Sequence, residues 1–182
     1  MLTLGILLLL GIAFYSGARR GLAMQLVYTV GYFATFIIAR TYYQDLAPSL
    51  ELLIPYPAVT ENATMVFFDQ QISLNLDQAF YAATAFLIIT FIGWLATRFV
   101  AIFFKKLTYI PILKQFDWVA GGVLSFIVVY VGVFLILTIA SYVPMEAVQN
   151  QFERSEVARS IVTNTPILSN MMENLWVTQI IG

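Results

Sequence analysis

The sequence contains no cysteine and no histidine among its 182 residues. Without cysteine there are neither disulfide bonds nor thiolate metal sites. Without histidine the chain lacks the usual general base and the commonest metal ligand. These absences exclude most zinc, haem and iron–sulfur chemistry, and they predict a protein without cofactors.

Charge is also scarce. Only 10% of the residues are charged and 60% are hydrophobic, whereas soluble domains carry roughly 25% charged and about 45–50% apolar residues. Nine basic and ten acidic residues cannot cover so much apolar surface, so we expect a lipid bilayer to surround most of the chain. The net charge of −1 offers no basic patch, and nucleic acid is not an expected partner.

Four apolar segments approach the length of about 20 residues that a helix needs to cross a membrane. We predict spans at about residues 2–17, 22–39, 79–103 and 118–143. Basic residues follow the first segment and do not precede it, so it is interpreted as a retained span and not as a secretory signal. The predicted fold class is an all-α membrane protein. It has a transmembrane domain of four helices at 1–143, an outer loop at 41–78 and an amphipathic helical tail at 144–182.

The distribution of lysine and arginine predicts the orientation, because these residues concentrate in cytoplasmic loops. The loop 41–78 has neither, and Arg40 is the one contrary charge beside it. We therefore expect a multi-pass protein of the bacterial plasma (inner) membrane with both termini outside. The basic residues at the two predicted cytoplasmic connections are Arg19, Arg20, Arg98, Lys105, Lys106 and Lys114.

The arginine pair lies in the stretch "YSGARRGLAMQL", where Gly17 and Gly21 flank Arg19 and Arg20. A tight turn between two spans needs the backbone freedom of glycine. The four-residue spacing of the glycines also suits close helix packing.

The fourth predicted span begins at Asp117, where a carboxylate satisfies free N–H groups and favours the positive end of the helix dipole. Gly121, Gly122 and Ser125 follow as a face of small residues that lets another backbone approach closely. Packing within the chain and contact with a partner helix or a second copy both fit this face.

The tail pattern predicts two or three short amphipathic helices. Ser155 is a candidate N-cap for a helix through Val162. Thr165 followed by Pro166 is the pattern of a cap with proline at the first helical position. The apolar stripe that includes Trp176 suits either the outer membrane interface or packing against the ends of the spans.

The sequence shows no constellation of reactive groups. Glu153 and Glu156 are flanked by arginines and predict a solvated face, and no phosphate loop, serine elbow or metal-ligand spacing is present. The middles of the predicted spans carry no Asp, Glu, Lys, Arg or His, which argues against a charge-coupled transporter. We therefore expect a protein that is not an enzyme.

With these residues in place, the chain resembles the colicin V production protein (CvpA) family. Gly17, Arg20, Gly21 and Leu22 match the Gly-x-x-Arg-Gly-Leu element of that family, and "DWVAGG" through Ser125 resembles its Asp-led glycine motif. The segment "SEVARSIVTNTPILSN" resembles the Ser…Thr-Pro segment of the tail. Trp118 stands where the family often has arginine, and Ser125 where glycine is usual.

The resemblance implies an inner-membrane protein needed for colicin V production, with a wider part in envelope physiology. We expect a non-enzymatic accessory protein in toxin production or export and envelope maintenance. It would contact a membrane-protein partner, or a second copy, through the fourth span. The alternative is a homo-oligomeric pore or passive transporter lined by threonine and serine.

Overall fold

The computed structural model describes residues 1–57, 65–68, 76–110, 112 and 116–181. Three long helices dominate it. They are α1 (Leu2–Glu51), α2 (Leu76–Ala101), which continues as a 3₁₀ helix (Ile102–Tyr109), and α3 (Asp117–Ser141). The described residues contain no strand, and each long helix is apolar and long enough to cross a membrane. The predicted all-α membrane class is confirmed.

Helix α1 consists of two arms, residues 2–20 and 22–51, because Gly21 has non-helical backbone angles (φ 76°, ψ 167°). The segments Met1–Thr3 and Tyr42–Leu87 belong to one compact unit. A straight helix would separate residues 3 and 42 by about 60 Å, so the chain turns back at Gly21. With α1 counted as one helix there are three candidate spans, and the number four stays a prediction.

The second arm extends well beyond the predicted span, which ends at residue 39. It continues through Pro48 to Glu51, so the connection begins later than the predicted position 41. Hydropathy alone stops at the polar residues after Ala39, but Tyr43 and Leu50 are buried and hold the additional turns in helical form. Residues 58–64 and 69–75 of the predicted outer loop, and Lys114, lie outside the described part of the chain.

The chain forms two compact units. The turn unit (Leu4–Thr41 and Ile88–Val133) contains the turn at Gly21 and most of the long helices. The tail unit (Met1–Thr3, Tyr42–Leu87 and Phe134–Gly182) contains helix ends together with the C-terminal segment. The tail predicted at 144–182 therefore shares its unit with the ends of α1, α2 and α3.

The tail unit is built around a buried tryptophan. Its short helices are α4 (Glu146–Glu153), α5 (Glu156–Asn164) and α6 (Leu168–Glu173), followed by a π-helical turn (Asn174–Thr178) and α7 (Gln179–Ile181). Trp176 is fully buried, with its ring 5.5 Å from that of Phe86 and 6.4 Å from that of Tyr142. Of the two arrangements that the sequence leaves open, the described residues show the tail packed against helix ends.

A tyrosine fastens the connection after α1 to the end of α3. The hydroxyl of Tyr56 donates a hydrogen bond of 2.8 Å to the carbonyl oxygen of Tyr142. Burial raises the pKa of Tyr56 to about 12, with smaller contributions from Asp77 and Tyr81. The phenol therefore keeps its proton, and with it this hydrogen bond, at alkaline pH values where a free tyrosine would already ionise.

The two capping residues predicted in the tail have different roles. Ser155 caps α5, since its Oγ accepts a hydrogen bond from the N–H of Ala158, and it also contacts the hydroxyl of Thr3 at 2.8 Å. The predicted cap at Thr165 with Pro166 is wrong. Thr165 ends α5 and donates to the carbonyl of Ile161, while the positive φ of Ile167 separates Pro166 from the start of α6.

Candidate functional site

The small-residue face of α3 packs against the first arm of α1 in the turn unit. A Cβ placed on Gly121 would lie 2.8 Å from the carbonyl oxygen of Gly17, and one on Gly17 would collide with Ser125 and with the carbonyl of Gly121. A Cβ on Gly122 would lie 2.8 Å from the ring of Phe14. The two backbones approach this closely only because glycine has no side chain.

This crossing brings together two motifs that are about 100 residues apart in the sequence. Gly17 belongs to the arginine motif, whereas Gly121 and the buried Ser125 belong to the motif led by Asp117. The sequence left open whether this small-residue face packs within the chain or against a partner helix. In the structure it packs against the first arm of the same chain. Val123 and Ile127 of α3 remain about half exposed.

Asp117 begins α3 and also caps the second arm of α1. Its Oδ2 accepts a hydrogen bond of 3.2 Å from the N–H of Leu22, the first residue after the turn. Its Oδ1 accepts a bond of 2.9 Å from the N–H of Ile112. One carboxylate therefore lies at the N-termini of two helices, where the partial positive charge of the helix dipole favours an anion.

Gly21 is required at this point for two separate reasons. Its backbone angles (φ 76°, ψ 167°) lie in a region that only glycine populates readily. A Cβ at this position would also collide with Oδ2 of Asp117. The turn and its capping carboxylate therefore depend on each other.

The two arginines of the motif have different surroundings. Arg20 is half-buried, and its guanidinium donates to the carbonyl oxygen of Ser16 at 3.0 Å and to the hydroxyl of Ser16 at 2.7 Å. It also lies 5.0 Å from the ring centroid of Tyr28. Arg19 is exposed and lies 5.9 Å from the ring centroid of Tyr15. Of these two arginines, only Arg20 has hydrogen bonds to other residues in the described part of the chain.

Sequence reasoning missed a second close crossing, between α1 and α2. A Cβ on Gly31 would lie 2.7 Å from Oγ1 of Thr97, and a Cβ on Gly93 would lie 2.8 Å from Cβ of Thr35. Each glycine faces the threonine that stands four residues after the other glycine. The signal is visible as the repeated pattern "GYFAT" and "GWLAT".

The polar atoms of these motifs are engaged within the chain. Asp117 accepts hydrogen bonds from the N–H groups of Leu22 and Ile112, whereas Ser16 binds Arg20 within the first arm. Beside this contact, Leu22 and apolar residues between 116 and 127 line a shallow open groove. Within the described residues there is no group of three or more acidic side chains that could hold a metal ion.

Comparison with known proteins identifies the family of the chain. The profile of the family described as "Colicin V production protein" matches residues 2–166, a range that includes the first two motifs and the third as far as Pro166. The chain is 31% identical over 176 residues to the "Uncharacterized transmembrane protein YshB" of Bacillus subtilis (strain 168), and the alignment covers 97% of each chain. No solved structure matches. This multi-pass membrane protein therefore belongs to the colicin V production protein (CvpA) family.

Proposed function

We propose that this protein is a non-enzymatic accessory protein in toxin production or export and in envelope maintenance. The observation that carries the proposal is that the family motifs serve to pack and cap helices. Asp117 caps the second arm through Leu22, and Gly17 packs against Gly121. Residues that an enzyme would direct toward a substrate are here engaged in fastening helices. The matched family is described by colicin V production, which supports the choice of process.

The proposed partner surface is the exposed side of α3. Gly121 and Ser125 pack inside the turn unit, whereas Val123 and Ile127 are 46% and 51% exposed. A second membrane helix, from another protein or from a second copy, would therefore contact this exposed side. Self-association there is the arrangement that the pore alternative needs.

A single experiment tests the role and separates these alternatives. The chain is expressed in a colicin V-producing strain that lacks its own family member, with a photo-crosslinking amino acid at Ile127. We expect restored toxin release, measured as an inhibition zone, and a crosslink to a different membrane protein that mass spectrometry identifies.

The matched control carries the crosslinker at Phe134 of the same helix, which is 0% exposed and already holds an aromatic ring, and it should give no intermolecular product. Unrestored toxin release from a stably inserted chain would contradict the accessory role. A crosslink only between copies, together with solute flux in vesicles, would favour the pore.

We further propose that the protein lies in the plasma membrane with both termini outside. The basic side chains Arg19, Arg20, Lys105 and Lys106 support this orientation through the positive-inside rule. The natural chain has no cysteine, so single reporter cysteines give an unambiguous signal.

Leu52 and Tyr109 provide a matched pair for this test, since they are 90% and 86% exposed. The test uses cells whose plasma membrane is intact but whose outer membrane or cell wall has been removed. In these cells Leu52→Cys should react with a membrane-impermeant maleimide and Tyr109→Cys should not. Lysed membranes should label both variants. The reverse pattern in intact cells would invert the proposed topology.

A further inference from the structure

Two guanidinium groups in the turn unit lie against one aromatic ring. Arg20, at the end of the first arm, lies 5.0 Å from the ring centroid of Tyr28, and Arg98, near the end of α2, lies 5.9 Å from it. Arg98 also lies 4.7 Å from the ring centroid of Trp94, and Tyr32 is beside both arginines. We refer to these five residues as the arginine cluster.

The arginine cluster has positive charge without a described counterion. Among the residues that the structure describes, neither arginine is paired with a carboxylate. Two like charges repel, and contacts with aromatic faces offset only part of that cost at the edge of a membrane. A bound anion would balance the charge, so the arrangement favours an anionic ligand.

The donors of the arginine cluster suit a phosphate group. Arg20 uses Nε and one terminal nitrogen on Ser16, which fixes the plane of its guanidinium. The guanidinium has five N–H donors in all, and its other terminal nitrogen has no hydrogen-bond partner among the described residues. Arg98 is exposed and therefore accessible. Planar guanidinium groups match the paired oxygens of phosphate and carboxylate groups, and phosphate is the anionic group that lipid headgroups supply.

The position along the helices indicates the source of the phosphate. Tyr28 is seven residues beyond the turn at Gly21, or about 10 Å along the helix axis. In a membrane-spanning chain this is the level at which lipid headgroups meet the hydrocarbon. Tyrosine and tryptophan are enriched at that level, and basic pockets between helices bind anionic headgroups there.

We propose that Arg20 and Arg98 together bind one phosphate group, and that this phosphate belongs to the headgroup of an anionic lipid. Tyr28 positions both guanidinium groups, and Ser16 keeps Arg20 in its orientation. The site would tie the Gly21 end of the helix bundle to lipids of one leaflet. This proposal depends on the membrane location alone and does not depend on the accessory role.

The test uses purified full-length protein in a non-ionic detergent, titrated with phosphatidylglycerol and followed by native mass spectrometry. We expect one phosphatidylglycerol to bind more tightly than zwitterionic phosphatidylcholine. Arg20→Gln and Arg98→Gln should each weaken its binding about fivefold, the contribution of one basic residue near an anionic surface. Arg98→Lys should weaken it less, since the charge remains without the planar fork.

Lys105→Gln is the matched control, because Lys105 is a basic, exposed residue of the neighbouring 3₁₀ helix and lies outside the arginine cluster. The affinity of the Lys105→Gln protein for phosphatidylglycerol should equal that of the natural protein. If millimolar inorganic phosphate displaces phosphatidylglycerol, the arginine cluster recognises the phosphate group itself, whether it is free or part of a lipid. Unchanged binding by Arg98→Gln at an unchanged melting temperature would overturn the proposal, as would an equal loss in Lys105→Gln.

Discussion

Gly121→Ala is expected to destabilise the protein by about 1–3 kcal/mol, the usual cost of forcing an additional methyl group into a packed site. The new Cβ would lie 2.8 Å from the carbonyl oxygen of Gly17 and 2.8 Å from the carbonyl carbon of Gly21. Both obstacles are backbone atoms, so no side-chain rotation can relieve the overlap and the helices must separate. The measurement is the free energy of unfolding in mixed micelles, followed by fluorescence of the three tryptophans.

Gly132→Ala is the matched control on the same helix. A Cβ at Gly132 has no neighbouring atom within 4 Å, and alanine favours a helix over glycine by up to about 1 kcal/mol. We therefore expect Gly132→Ala to be neutral or stabilising. The same comparison applies on the first arm, with Gly17→Ala tested against Gly11→Ala, where the added Cβ is also unobstructed. Equal stabilities of Gly121→Ala and Gly132→Ala would contradict the close crossing.

Asp117→Ala should lower stability by about 1.5–3 kcal/mol, the usual range for a hydrogen bond to a charged group. The substitution leaves the N–H of Leu22 at the start of the second arm without its carboxylate acceptor, and it removes the 2.9 Å bond to Ile112. Asp117→Asn keeps one carbonyl oxygen, so the stability of this variant should lie between those of Asp117→Ala and the natural protein. Asp45→Ala, at an exposed position, serves as the control and should be neutral.

Gly21→Ala combined with Asp117→Ala tests whether the turn and its cap depend on each other. Alone, Gly21→Ala imposes unfavourable backbone angles, at a cost of about 1–3 kcal/mol, and a collision with Oδ2 of Asp117. Without the carboxylate the collision disappears and only the conformational cost remains. The two effects should therefore be less than additive. Strict additivity in the same unfolding assay would show that the contact does not matter.

Composition and hydropathy alone were sufficient for the class of protein and the approximate position of the long helices, because both depend on local apolar content. The motif placed the turn near Gly21, but Gly17, which was predicted to flank the turn, lies inside the first arm and packs against Gly121. The end of the second arm was missed, because local hydropathy does not show that Tyr43 donates a hydrogen bond to the distant carbonyl of Leu175 or that Leu50 is buried. Similarly, Thr165 matches a capping pattern, but its hydroxyl donates to the carbonyl of Ile161 in the preceding helix, and Ile167 precedes the next helix with a positive φ.

What the sequence by itself determined is therefore everything that depends on neighbouring residues: the lipid environment, the all-α class, the turn and the motifs of the family. The tertiary structure alone decided that Gly17 meets Gly121, that Asp117 caps a helix that begins 95 residues earlier, and that Trp176 packs against both Phe86 and Tyr142. The physical reason is that a small-residue face or a carboxylate specifies what kind of contact is favourable but not which segment supplies it. That choice depends on how the helices pack.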